Sequence, residues 1–144
     1  MSAGARYDYY QMFGGSTNPR VGLVYHPFEK TTLKLLYGEA FRVPNAYELF
    51  YGDSGQTQKG NAGLDPETIR TYEAVLEQYF GAHYRLSASA FHYDIKNLIT
   101  QVIDPADGLL QFRNIDKVEA NGLAFELTGQ WASGLKARMN YALE

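Results

Sequence analysis

Residues 117–131 read KVEANGLAFELTGQW, and their alternation decides the fold. Leu123, Phe125, Leu127 and Trp131 fall on one side; Gly122, Ala124, Glu126, Thr128 and Gln130 fall on the other. Successive side chains of an extended chain point to opposite faces, so a strict period of two writes a strand with one apolar and one polar side. Ser133-Gly134 then makes a minimal turn. Beyond it Leu135, Ala137, Met139, Tyr141 and Leu143 alternate with Lys136, Arg138, Asn140 and Glu144. Two alternating runs joined by so short a turn form an antiparallel hairpin.

The same pattern extends toward the N-terminus. From Tyr84 to Thr100, Tyr84, Leu86, Ala88 and Ala90 oppose Arg85, Ser87 and Ser89. Phe91, Tyr93, Ile95 and Ile99 then fall on the formerly polar phase, which predicts a bulge near Phe91. Gly81-Ala82-His83 is a tight turn behind a strand over 67–80. Thr32 to Phe41 and Arg20 to Tyr25 alternate as well, and Ala5 to Gln11 reads as a first strand. The connections predicted are short at 26–30, 81–83 and 133–134, and longer at 12–19, 42–66 and 103–112.

The fold class expected is therefore all-β: an antiparallel up-and-down meander of about seven strands, each roughly nine to fifteen residues against the ~5–6 typical of soluble sheets. Short turns gather at one end and long loops at the other, as in a transmembrane β-barrel. A soluble β-sandwich or small β-barrel, binding through Tyr-rich loops, is the alternative that alternation alone leaves open. Strand length favours a partial transmembrane barrel, because about 9 to 11 residues tilted near 45° cross the hydrocarbon layer. Trp131, Tyr25, Tyr84 and Tyr141 are the expected interface girdle.

Composition narrows the function classes. The 144 residues carry 12 Tyr and 8 Phe, and tyrosine suits surfaces that meet water and an apolar phase together. The net charge of -3 and the absence of a basic cluster argue against nucleic acid as a partner. With no cysteine there is neither a disulfide scaffold nor a thiolate metal site. No run of about 18 apolar residues encodes a membrane-spanning helix, and the first residues lack the charged and apolar regions of an export signal.

The longest connection crowns the hairpin between the strands ending at Phe41 and beginning at Glu67. Around it the chain resembles the barrel portion of TonB-dependent outer-membrane receptors. The residues that carry the resemblance are Tyr37 to Leu49 (YGEAFRVPNAYEL), Gly60 to Glu67 (GNAGLDPE), Tyr72-Glu73, Asn18-Pro19-Arg20, Phe91 to Ile99 (FHYDIKNLI) and Phe112-Arg113-Asn114, with Gly122 and Glu126. Several motifs in the family's order, spread over nearly the whole chain, are more specific than one short pattern.

The resemblance implies a receptor that takes up a scarce nutrient of the iron-siderophore, haem or cobalamin type. It implies residues 1–144 as one fragment of the barrel domain, in the bacterial outer membrane, with the plug domain and the remaining strands having no counterpart in this sequence. The partners implied are outer-membrane lipid, those missing strands and plug, a small-molecule metal chelate or similar ligand, and an inner-membrane TonB-type energy-coupling protein. No cofactor is implied.

Candidate chemistry follows from residue type. Arg42, Tyr47, Tyr51 and Arg113 lie at or above the loop end, where they could stack on or pair with an anionic, aromatic ligand. The structural alternative is a strand-to-loop junction in which Pro44 holds Val43 extended. Gly52-Asp53-Ser54-Gly55 looks like a nucleophile turn, but a triad needs a positioned base on a rigid scaffold, so no catalytic residue is assigned. Asp104, Asp107 and Asp116 lack the dense oxygen loop of a calcium site, and Asp-Pro and Asp-Gly explain themselves as turns. His26, His83 and His92 lack metal-ligand spacing. Glu67, Glu73, Glu77 and Glu126, with Lys34, Arg85, Lys136 and Arg138, fall mostly on the inner face, where charge lines water.

Overall fold

The computed structural model describes residues 1–144, with the side chain of Asp116 outside the described set. Its strands are β1 (Ser2–Tyr10), β2 (Gly14–Phe28), β3 (Thr31–Arg42), β4 (Gln58–Lys59), β5 (Glu67–Phe80), β6 (Tyr84–Ile103), β7 (Leu110–Gln130) and β8 (Lys136–Leu143). One short helix, α1 (Ala46–Phe50), sits in the crown. Seven long strands pair antiparallel in a single meander, and the two-residue β4 adds to β7 in parallel. The sheet is open, with β1 and the free side of β8 as its edges.

Register carries the alternation across the sheet. Leu35, Ala74, Ala90, Leu123 and Leu143 share one row; Leu33, Leu76, Ala88, Phe125 and Tyr141 share the next. On the opposite face Glu77, Ser87, Glu126 and Asn140 form a polar row. No second layer covers the apolar face. Leu123, Phe125 and Leu127 remain 44%, 41% and 38% exposed, whereas a sandwich would bury them. The soluble alternative is not favoured on this ground. The buried apolar residues are Leu49, Leu64 and Ile99, and all three belong to the crown and its footing.

Aromatic residues bound the apolar face. Tyr37, Tyr72 and His92 form an upper row with ring centroids 5.1 and 5.9 Å apart, and Tyr84 meets Trp131 edge-on at 5.7 Å near the short turns. From Tyr84 to His92 the eight residue steps span ~26 Å along the strand. Tilted ~40°, that is ~20 Å, close to the ~25 Å apolar band of outer-membrane barrels. Tyr25 and Tyr141 fall in the register row of Leu33 and Phe125.

Several boundaries differ from the sequence reading. The predicted 12–19 loop is a three-residue turn, because residues 14–19 pair with β1; Pro19 is tolerated there since β3 joins β2 only from Arg20 onward. The bulge expected near Phe91 is absent, and β6 pairs without interruption from Tyr84 to Lys96. Phe91 stays on the polar face because its ring lies over Gly122, where a Cβ would collide with it. The register shift falls instead between Tyr25 and Phe28, around Pro27. The 103–112 loop shrinks to 104–109, and β7 starts at Leu110 rather than Lys117.

Candidate functional site: the crown over the mouth

The crown, residues 43–66, starts on β3 and returns on β5, yet its β4 pairs with Leu110 and Gln111 of β7. It must therefore cross β6 and β7 to reach the far side of β7. The side it crosses is fixed by phase: Asp65 N donates to the Asn114 side chain and Tyr47 packs edge-on against Phe112, and both partners share the even phase of β7 with Gly122 and Glu126. The crown thus folds inward over the polar face, across the mouth of the barrel wall, instead of standing above it.

Its root is held by charge and capping. Asn45 Oδ1 accepts from Glu48 N at 3.0 Å while Asn45 N donates to Glu48 Oε2 at 2.8 Å, a reciprocal capping box that starts α1 immediately after Pro44. Arg42 donates to Glu48 through Nη1 at 3.0 Å and to Glu67 through Nε at 2.6 Å, tying the first turn of the crown to the start of β5. Glu67 Oε1 also accepts from Ile99 N at 2.6 Å. The Arg42 bond, with help from the Ile99 amide, holds the Glu67 carboxyl below its ordinary range.

The middle of the crown is equally organised. Asp53 accepts from Gln56, Thr57 and Gln58 backbone amides at 3.0 Å each and from the Thr57 hydroxyl. The Thr57 hydroxyl first, and these amides next, keep its carboxyl well below the usual range. The Gly52-Asp53-Ser54-Gly55 run is an Asx-type turn with Ser54 at φ 62°, so Asp53 organises backbone rather than a nucleophile. Gly60 passes so close to α1 that a Cβ there would lie 2.6 Å from the Leu49 carbonyl oxygen.

The far side is clasped by ions. Lys59 Nζ lies 2.5 Å from both Asp104 Oδ2 and Asp107 Oδ2, and Arg113 Nη2 lies 2.8 Å from Asp104 Oδ2. Lys59 and then the Ala106 amide, with Arg113 nearby, lower the Asp104 carboxyl to about 2. An ammonium thus sits where a cation bound by Asp104 and Asp107 would go. The third carboxylate considered with them, Asp116, lies outside the described side chains.

The four sequence candidates do not converge on one point. Tyr47 and Tyr51 stack at 4.4 Å with planes 17° apart, and Phe112 meets Tyr47 edge-on at 6.0 Å. Both tyrosines are about half exposed. Arg42 is engaged at the root, and Arg113 lies on the opposite phase of β7 from Phe112, engaged with Asp104 and Gln111. Beside the stacked pair, Gln58 Oε1 accepts from Tyr47 Oη at 3.2 Å and Gln101 Nε2 at 3.1 Å, while its buried Nε2 has no partner among the described residues. Sequence reasoning missed Asn114, which holds the crown backbone in both directions: Asp65 N donates to its Oδ1 at 2.9 Å and its Nδ2 donates to Asp65 O at 3.0 Å. Its place in the Phe112-Arg113-Asn114 motif was the available signal.

A single open sheet with a bare apolar band, an aromatic row at either end and a polar opposite face defines a segment of transmembrane β-barrel wall. The whole chain, residues 1–144, matches the TonB dependent receptor-like β-barrel family, and the protein belongs to that family. It is 29% identical to a ferric enterobactin receptor of Pseudomonas aeruginosa over 94% of this chain and 21% of that protein. It is 27% identical to a vitamin B12 transporter of Vibrio cholerae, over 94% of this chain and 20% of that one. Among solved structures, the P. aeruginosa ferric enterobactin receptor in complex with enterobactin superposes with a TM-score of 0.80 at 27% identity, covering 99% of this chain and 24% of the receptor. The siderophore receptor PirA of the same organism gives 0.78 at 25% identity, over 98% and 30%. The chain spans about a fifth of the length of the curated relatives it matches. Kinship with a protein named for the outer membrane, an iron-regulated virulence protein of V. cholerae at 33% identity over 74% of this chain, accords with the lipid-facing band.

Proposed function

We propose that residues 1–144 are wall and mouth-covering loop of a receptor that takes up a scarce nutrient across the outer membrane. The nutrient is of the iron-siderophore, haem or cobalamin type, the classes bound by its relatives, and its movement is coupled to a TonB-type inner-membrane protein through parts of the receptor outside this stretch. The chain's role is transport and not catalysis. The observation that supports the reading is the inward-folded crown, which brings the half-exposed, stacked Tyr47–Tyr51 plate to the mouth. An exposed aromatic plate suits stacking on a flat chelate.

Tyr47 and Tyr51 are the first residues to test, and Arg42 and Arg113 serve as ligand-facing positions only where a ligand displaces their present carboxylate partners. In the full-length receptor, Tyr47→Ala with Tyr51→Ala is expected to weaken uptake of the cognate ligand about five-fold, since loss of stacking is worth on the order of 1 kcal/mol. The measurement is growth of a receptor-deficient strain on a single ferric chelate, haem or cobalamin as the limiting source. Unchanged growth on every source would remove the crown from the ligand path.

A further inference from the structure

Three cations belong to the crown, its root and the facing end of β7, and carboxylates hold all of them. Arg42 meets Glu48 and Glu67, Lys59 meets Asp104 and Asp107, and Arg113 meets Asp104, each within 3.0 Å. Two further carboxylates make no ion pair among the described side chains: backbone amides and the Thr57 hydroxyl hold Asp53, and Asp65 is exposed. Over residues 42–67 and 103–114, six carboxylates therefore stand against three cations.

The excess is fully charged at neutral pH. The Thr57 hydroxyl holds the Asp53 carboxyl below its ordinary range, and Lys59 does the same for Asp104 and Asp107. Cations outside the two segments do not cancel it. Arg20, exposed and without an ion pair among the described side chains, lies opposite Gly38 and offsets one charge at most. Lys96 and Lys117 share the lipid-facing phase of Ala90 and Leu123.

The half-exposed Tyr47–Tyr51 plate lies within this frame. A ligand stacking there meets no free cation of the crown and an excess of negative charge, and juxtaposed like charges weaken association. Charge balance sorts the chelates: three catecholate dianions around ferric iron leave three negative charges, and three hydroxamate monoanions leave none. Haem brings two propionates.

We propose that this sector of the mouth selects its ligand by charge, admitting neutral or cationic chelates of the trishydroxamate or cobalamin kind and repelling polyanionic ones of the tris-catecholate kind. The proposal rests on the uptake reading and narrows its ligand.

The test is calorimetric titration of the full-length receptor in nanodiscs at about 10 and about 150 mM salt, where screening differs strongly. The probes are a ferric tris-catecholate, haem, a neutral and a cationic ferric trishydroxamate, and cyanocobalamin. A neutral or cationic probe is expected to bind tightest, with the tris-catecholate at least five-fold weaker and gaining affinity as salt rises. Asp65→Lys is expected to tighten the tris-catecholate about three-fold at the higher salt, as a two-unit change ~10 Å from three charges requires. Asp65→Asn gives about two-fold, and an unchanged neutral probe reports an intact mouth in both variants. If the tris-catecholate or haem binds tightest, if tris-catecholate affinity falls with salt, or if Asp65→Lys leaves it unchanged, charge selection is refuted and the uptake reading stands. Binding of none of the five probes removes the uptake reading itself, and the proposal with it.

Discussion

Asn45 shows how much of the crown hangs on single side chains. Replacing it with Ala removes one half of the capping box and costs about 1 kcal/mol of local stability. The expected result is roughly five-fold faster amide exchange over residues 46–50, because 1.4 kcal/mol corresponds to a factor of ten. Gly60→Ala acts through backbone rather than capping: its Cβ meets the Leu49 carbonyl, which has no rotamer to give, so the segment around Gly60 must lift from α1. Exchange protection in 43–66 is expected to fall while β5–β6 amides keep theirs. The Lys59–Asp104 clasp also sets a pH window. The folded carboxyl titrates at about 2, below its unfolded value near 4, so its contribution is complete above about pH 4 and is lost as pH falls toward 2. Crown exchange rates, corrected for intrinsic pH dependence, are expected to be flat from pH 7 to 5 and to rise below 4; a rise already at pH 6 would contradict the clasp. Asp53 and Asn114 explain why sequence reading stopped short at this scale. Their roles depend on backbone groups that only the folded loop brings within reach.

At the scale of the element, phase decides the cost of a charge. Phe125 faces lipid, and Phe125→Arg is expected to cost about 2–4 kcal/mol in denaturant unfolding of the full-length receptor in bilayers. Ser87, across β6 on the polar phase beside Glu126, is expected to accept Ser87→Arg with a change within ~0.5 kcal/mol. Equal costs at the two positions would reverse the assignment of faces. This assignment was legible from the residues of β7 and β8 alone, because period two survives any tertiary arrangement. Phe91 was not legible. An aromatic on the polar phase reads as a shifted register until the partner strand shows a glycine beneath it. The N-terminal part of β2 was hidden in the same way, since Gly14-Gly15 and Pro19 are turn residues by local preference and become strand only when β1 pairs with them.

Over the whole molecule, the sheet has two faces with different solvents and almost no interior. Bimane attached at Leu123→Cys or Leu127→Cys of the full-length receptor is expected to be quenched by brominated lipid, and bimane at Ala124→Cys to be spared. Quenching at all three would mean that the polar face also meets lipid. Strand number, antiparallel order, the lipid-facing rows and the charged inner face were determined by the sequence itself, because each depends on alternation and turn length within neighbouring residues. Tertiary structure alone decided where the crown goes. Its path over β6 to β7 rests on contacts such as Lys59 with Asp104, Asn61 with Phe112 and Asp65 with Asn114, each spanning more than 40 residues, and no local pattern encodes a pairing at that distance.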